Sequence, residues 1–528
     1  MTRSGPVAMK TSTPARAADL PLEYNAVDIL DRNVARHPQK TALYTGDGEF
    51  SFEAVATATN QVANALRGMD VRMGDSVAIL CLDTAEWVAA FFGTLRCGGV
   101  AVGMSTLLTS EEIGFILNNS RARVAVVHAA LLAGLEEARS GCPFLEHVIV
   151  VGGPADEGDL TFDQWTAGAA TTSETTLTHR NDFATLNYSS GTTGKPKGIL
   201  HAHKDLVLTA ELWGARTLGL AESDRTFSLA KLFFTFGLGG NLLFPWHVGA
   251  ASVLYPGNPR QAANVMEVID RFHPTILLNA PTGYASALAV EDFTSHYDLS
   301  SLRLCVSAAE ALPAPLWHAW KERTGLDILD GIGSTENFHI FLSNRPGDIC
   351  PGSSGKPVEG YELRIVDEDG APVTTGEVGN LHVKGETAAH SYLRDSARSR
   401  ESFLGAWLNT GDKYYEDKNG YFWHVGRSDD MLKVGGIWVS PVEVESTLIG
   451  HDAVLECAVV GVADDAGLIK PKAFVIAAPG VEPTTETAEM LVRHCTDSMS
   501  AYKRPRWIEF LDELPKTATG KIQRFRLR

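Results

Sequence analysis

The sequence predicts an α/β protein of several domains: parallel sheets covered by helices, then a β-rich unit, then a small mixed α+β unit. Three observations carry this reading. The chain has 528 residues, well beyond the ~100 to 200 of one ordinary domain. Strand and helix signals alternate through its first part, which argues for helix-covered parallel sheets. After residue 360 short strands sit between Gly-rich turns without long helices. With 44% hydrophobic and 21% charged residues and a mean hydropathy of -0.04, the composition excludes collagen-like, disordered and disulfide-scaffold classes.

The elements follow in order. Val55, Ala58, Val62, Ala65 and Leu66 have helical spacing, and Met73-Gly74-Asp75 then turns into a strand-like run over 77–82. Asp83 with Glu86 three residues later predicts a capping box, opening a helix through Trp87, Phe91 and Phe92. Thr109 and Glu112 repeat the device. Strands are expected at 124–127 and 147–151, then at 362–366 and 378–383 in the β-rich unit. Another change of texture comes near Gly426, followed by strands at 458–462 and 473–476, a helix around 489–495 and a basic tail.

The net charge of -18 weakens any case for nonspecific nucleic-acid or anionic-membrane binding. Residues 1–20 lack an apolar core of signal-peptide length and read as a flexible leader. The apolar stretch at 233–255 is broken by Asn241, Pro245 and His247 and fails the ~20-residue span test, so no membrane segment is expected. Seven cysteines, with no Cys-x-x-Cys pair and no metal-like Cys/His spacing, fit a reducing cytosol, and the expected location is cytoplasmic.

The most informative segment is Tyr188-Ser189-Ser190-Gly191-Thr192-Thr193-Gly194-Lys195-Pro196-Lys197-Gly198. Glycines bring backbone N–H groups close to an anion, hydroxyls add donors and two lysines add charge, a combination suited to a triphosphate. It is not a Walker A loop, because Pro196 stands where a metal-binding Ser or Thr would follow the Gly-Lys pair. A plain flexible turn is the bland alternative.

This loop resembles the phosphate loop of the adenylate-forming superfamily, the acyl- and aryl-CoA ligases and their relatives. Further motifs resemble the family's in its order: Asp330-Gly331-Ile332-Gly333-Ser334-Thr335-Glu336, Asn409-Thr410-Gly411-Asp412, Gly426-Arg427-Ser428-Asp429-Asp430, and Pro515-Lys516-Thr517-Ala518-Thr519-Gly520-Lys521. The resemblance implies a large domain over 21–428, of two helix-covered sheets with a β-rich part from about 360, and a small mobile α+β domain over 429–528. It implies ATP, Mg2+ and CoA, with catalytic Lys521, Lys197 and Glu336, and with Thr192 and Glu336 on the metal. The nucleotide would be held by Ser189, Ser190, Gly191, Thr192, Thr193, Gly194, Lys197, Ala309, Glu310, Asp330, Gly331, Ile332, Ser334, Thr335, Asp412 and Arg427. Asp429 would be the hinge, and Lys433, Gly435, Gly436 and Trp438 would line the thiol tunnel. A homodimer is compatible with the resemblance.

Within the family, Lys231-Leu232-Phe233-Phe234-Thr235-Phe236-Gly237, the run from Thr335 to Asn344, and Lys521-Ile522-Gln523-Arg524 resemble the benzoate-CoA ligase branch. That implies an aromatic carboxylic acid held by Phe234, Thr235, Phe236, Tyr284, Ala308, Gly333, Asn337, His339 and Ile340. Thr235 stands where benzoate ligases tend to carry Ala and salicylate-type enzymes an Asn, and Phe236 replaces a Tyr. A hydroxyl at 235 can pair with an ortho ring hydroxyl, so the expectation leans to salicylate over benzoate. The alternatives are benzoate itself, an aryl-acid activator loading a carrier protein, and a catalytically silent nucleotide sensor, which would have lost Glu336 or Lys521.

Overall fold

The computed structural model describes residues 14–189, 196–258, 261–428, 430–434, 437–464, 468–516 and 522–528, without the Trp438 side chain. Two large sheets form its body. The first has seven strands in the spatial order Leu160–Thr161, His147–Val151, Val124–His128, Ser76–Leu80, Val100–Gly103, Phe183–Ser189 and Lys197–Ala202. Its neighbours are parallel except for the last pair. The second has nine strands and a parallel centre running Ile328–Gly333, Leu304–Ser307, Ile276–Asn279, Arg225–Ser228, Ala251–Val253, Thr41–Thr45.

The period of two explains the layering. Val77, Ile79, Val124 and Val126 join one core with Ile276, Leu278, Leu304 and Val306 of the other sheet. Their alternates Ala78, Leu80, Ala125 and Val127 join a separate core with Ile113, Ile116 and Leu117 of helix Ser110–Ser120. Both faces are buried, as parallel sheets require. Helices Phe52–Gly68 and Ala85–Arg96 contribute Phe52 and Phe92 to the shared core, both packed on Trp246, at 5.5 and 5.4 Å between ring centroids.

Thr109 and Glu112 form the expected capping box. Asp83 and Glu86 do not: Thr84 is the N-cap of Ala85–Arg96, and the Asp83 carboxylate instead accepts from the backbone N–H of Leu232. A short-range pattern could not anticipate a partner in a loop of the other sheet.

The β-rich part is an antiparallel sheet of Glu362–Val366, Gly379–Lys384, Phe403–Leu404, Trp407–Glu416 and Phe422–Arg427. Beyond it the hairpin Leu432–Val434/Ile437–Val439 precedes a three-stranded sheet, Val454–Ala463, Ile469–Ala477 and Trp507–Phe510, covered by helices Pro441–Ile449 and Thr485–Ser498. The fold is thus the expected α/β architecture, two helix-covered sheets with a β-rich part and a small α+β unit. Among the described residues no helix is long and apolar enough to cross a membrane.

Candidate active site

Glu336 and Ser189, with Lys197 paired opposite Ser189, lie at the carboxyl ends of parallel strands, where open α/β sheets bind ligands. Strand Ile328–Gly333 ends in the turn Thr335–Asn337 and presents Glu336, while strand Lys197–Ala202 begins with Lys197. Lys197 Nζ lies 3.9 Å from Glu336 Oε1 and 4.8 Å from the Tyr392 ring centroid. The Tyr392 hydroxyl donates to the same Glu336 oxygen at 2.9 Å, and the Glu336 carbonyl accepts from the Ala389 N–H at 2.8 Å. The β-rich part therefore holds the acidic side chain from the far side.

The backbone here is tightly constrained. A Cβ at Gly333 would stand 2.5 Å from the His339 carbonyl oxygen, so glycine is needed where the chain doubles back. Phe338 (φ 69°) and Ala309 (φ 78°) are non-glycine residues with positive φ, a strain that surrounding structure must impose. Asp330 is buried, burial pushes its carboxyl up to about 8, and its Oδ1 has no hydrogen-bond partner among the described residues.

Asp412 and Arg427 face each other across paired strands of the β-rich sheet. Arg427 NH1 donates to Asp412 Oδ1 at 3.3 Å and to the Thr410 carbonyl at 2.9 Å. Gly411 (φ 75°) completes this arrangement, since a Cβ would meet Arg427 NH2 at 2.8 Å. Glu310 looks toward the small unit: burial, then the Glu456 carboxylate, push it up to about 7 against the pull of Lys516 and Arg524.

Phe236, Trp213 and Phe244 surround His339, with ring centroids 5.5, 4.9 and 4.5 Å away. Burial drives the imidazole down to about 3, so it is neutral. Its Nε2 lies 3.3 Å from the Phe236 carbonyl and donates there, which leaves Nδ1 an acceptor, without a partner among the described residues. Asn337 Oδ1 is a second buried acceptor without one. Thr235, Phe236, Ala308 and Ile340 are buried, and Phe234 is half-buried against the same core.

Tyr284 is a correction. It lies in the core on the opposite face of the nine-stranded sheet, its hydroxyl donates to the Val306 carbonyl at 2.8 Å, and its ring packs edge-on against Trp320 at 4.9 Å. It is a packing residue rather than a pocket residue. Ser189 ends strand Phe183–Ser189 opposite Lys197, and Gly331, Ile332, Ser334 and Thr335 follow one another into the Glu336 turn. Lys433 is exposed on the hairpin of the small unit. Ser190, Gly191, Thr192, Thr193, Gly194, Asp429, Gly435, Gly436, Lys521 and the Trp438 side chain lie outside the described residues. Sequence reasoning missed Tyr392, Trp213 and Phe244. The only available signal was aromatic residue type, because their partners lie far off in the chain.

A family model for AMP-binding enzymes matches residues 30–393, and one for the AMP-binding enzyme C-terminal domain matches 443–521. The chain belongs to the AMP-binding enzyme family. Among its relatives is the benzoate--CoA ligase of Thauera aromatica, 46% identical, with 99% of this chain and 99% of the relative covered. A solved anthranilate CoA ligase, AuaEII, in complex with anthranoyl-AMP, is 62% identical with a TM-score of 0.95, covering 97% of this chain and 98% of that one. A benzoate CoA ligase from Burkholderia xenovorans LB400 is 40% identical with a TM-score of 0.88, covering 96% and 100%. The AMP-binding enzyme described here falls in the benzoate-CoA ligase-like branch and is an AMP-forming acid–thiol ligase that uses ATP, Mg2+ and CoA.

The donor set of this AMP-binding enzyme fits that chemistry. Magnesium prefers hard oxygens and keeps substrate phosphates and waters as ligands, so one carboxylate can suffice on the protein side. Glu336 offers a carboxylate oriented by Tyr392, and no cluster of three or more His, Cys, Asp or Glu suited to a metal occurs among the described residues.

Proposed function

We propose that this enzyme is an aryl-CoA ligase whose acid is an ortho-substituted benzoate, with an ortho amino group favoured. The observation that carries the reading is the likeness, at 62% identity over nearly the whole chain, to an anthranilate CoA ligase solved with anthranoyl-AMP. The unpaired acceptors His339 Nδ1 and Asn337 Oδ1 support it, since buried acceptors favour a ligand that brings N–H donors. The aromatic walls Phe234 and Phe236 suit a planar ring. An ortho hydroxyl, hence salicylate, is the second reading, supported by Thr235. Unsubstituted benzoate is the alternative supported by the Thauera aromatica relative.

In this reading a carboxylate oxygen attacks the α-phosphorus of ATP and pyrophosphate leaves. The CoA thiol then attacks the carbonyl carbon of the acyl-adenylate, a thioester forms and AMP leaves. Lys521 and Lys197 stabilise charge developing at the α-phosphate and carboxylate. Glu336, with Thr192, would hold magnesium, which supplies Lewis-acid neutralisation of phosphate charge. Asp412 accepts from the ribose hydroxyls with Arg427 beside it, and the segments at 309–310 and 330–335 take the adenine end. The small domain turns at Asp429 between the two steps, so that Lys433, Gly435, Gly436 and Trp438 meet the pantetheine arm.

A pyrophosphate-release screen over anthranilate, salicylate, benzoate and 4-hydroxybenzoate, with and without CoA, tests the proposal. Anthranilate is expected to give the highest kcat/KM, with thioester formed only when CoA is present. Products of ADP and phosphate, or a preference for benzoate over both ortho acids, would overturn it.

A further inference from the structure

Strands Ser76–Leu80 and Val100–Gly103 of the seven-stranded sheet end against the loop that follows strand Arg225–Ser228 of the other sheet. Beyond the first strand, Asp83 is only 3% exposed, and its Oδ1 accepts from the Leu232 backbone N–H at 3.1 Å. At the end of the second, Gly103 is so close to the loop that a Cβ there would lie 3.1 Å from Phe233 Cα. On the other side Lys231 Nζ donates to the carbonyls of Gly257, at 2.8 Å, and Tyr255. The loop is also wound on itself: Phe234 N–H donates to the Lys231 carbonyl at 3.0 Å, and a Cβ at Gly237 would stand 2.2 Å from both the Ala230 and Lys231 oxygens.

The Asp83 carboxylate makes no capping bond to the helix that follows it. Burial raises it to about 6 even though the Lys231 ammonium and the Leu232 N–H pull the other way. Burying a carboxyl this deeply costs stability that an apolar residue would not. Its return is geometric, because Leu232 is wholly buried and its N–H is satisfied across the gap between the two sheets.

We propose that Asp83 is a positioning residue for the acid pocket: from one sheet it clamps the loop of the other and so fixes where Phe234, Thr235 and Phe236 stand against the aromatic ring. This rests on the reading that 234–236 line that pocket. Asp83 then acts on the acid alone. Without it the Leu232 N–H is left unpaired and the loop is free to move by tenths of an ångström, enough to spoil alignment of a bound carboxylate. The nucleotide side, built on Glu336, Lys197 and Asp412, keeps its own supports.

Steady-state kinetics of full-length variants, with the best acid from the screen and with ATP varied in turn, test the inference. Asp83→Ala is expected to raise KM for the acid about tenfold while KM for ATP stays within about twofold. Asp83→Asn retains the acceptor oxygen and the shape, and should bring the acid KM back to within about threefold of wild type. Gly103→Ala crowds Phe233 from the neighbouring strand and should raise the acid KM independently, which keeps the test open if Asp83→Ala fails to fold. A rise in both KM values in Asp83→Ala and Gly103→Ala, or an Asn variant as impaired as the Ala variant, would overturn the role. Phe236→Ala separates the two readings: if it leaves the acid KM unmoved the pocket assignment fails. If Phe236→Ala moves the acid KM while Asp83→Ala and Gly103→Ala do not, only the inference about Asp83 fails.

Discussion

The end of the site proposed to hold the nucleotide and the end proposed to hold the acid are built differently. At the proposed nucleotide end the groups are mostly charged, lie in short contiguous motifs and are joined by direct polar contacts, as in the Lys197–Glu336 and Asp412–Arg427 pairs, with Tyr392 added from outside those motifs. At the proposed acid end the groups come from separated segments, Phe236 and His339 with Trp213 and Phe244 packed on them, and are joined by aromatic packing and by a hydrogen bond to backbone. In the proposed reading, chemistry common to every substrate resides in local motifs. In the same reading, selectivity resides in packing, where each small change is worth little.

The contrast predicts large effects at the charged end. Lys521→Ala should lower adenylation by about 10²-fold or more, the scale for loss of one donor to developing charge, and leave thioester formation from supplied acyl-adenylate largely intact. ATP–pyrophosphate exchange measured beside the CoA half-reaction reads the two steps separately. Equal loss in both would break the proposed rotation about Asp429. Tyr392→Phe removes one hydrogen bond to the Glu336 side chain, on the scale of ~1.5 to 3 kcal/mol for hydrogen bonds to charged groups, and should lower kcat/KM for ATP about 10- to 100-fold. The deficit should shrink as Mg2+ is raised, and an effect indifferent to Mg2+ would show that Tyr392 merely packs.

Legibility in the sequence follows the same division. The layering of the fold was readable because hydrophobic period and cap signals are local, as at Thr109 and Glu112. The Glu336 and Asp412 segments were legible only through their resemblance to short contiguous motifs of the adenylate-forming superfamily. Tyr284 was misplaced because residue type does not say which face of a sheet a side chain joins. Asp83 was read as a cap because a carboxylate before a helix usually is one, and its true partner lies 149 residues away. Trp213 sits on a π-helical turn, Ala210–Thr217, whose extra residue redirects side chains in a way that no 3.6-residue pattern predicts.

Effects at the acid end should be smaller and confined to selectivity. Thr235 is buried beside Phe236, and Thr235→Val keeps its shape while removing the hydroxyl. One net hydrogen bond is worth ~0.5 to 1.5 kcal/mol, so the ratio of kcat/KM for salicylate over benzoate should fall by up to about tenfold, with ATP parameters unchanged. If Val and Ala at 235 both keep that ratio, the residue only packs and His339 and Asn337 are left as the groups reading the ortho position.

The last effect is read in stability rather than in rate, and it tests whether the proposed nucleotide end also stores a buried proton. Asp330 titrates at about 8 in the folded chain because burial disfavours its charge, against an ordinary carboxyl value near 3.8. Between those values the folded state holds a proton that the unfolded state has released. Stability from this group is therefore greatest at low pH and falls as pH rises from about 4 to about 8. Asp330→Asn abolishes this titration while remaining nearly isosteric, so the difference in Tm between variant and wild type should drift in favour of Asn from pH 5 to pH 8, then level off. Differencing cancels shared contributions from other groups such as Glu310 and Asp83, which burial also raises. A pH-independent difference would mean that Asp330 is ionised in the folded protein, and the unpaired Oδ1 would then be an acceptor in a charged carboxylate at the proposed adenine end.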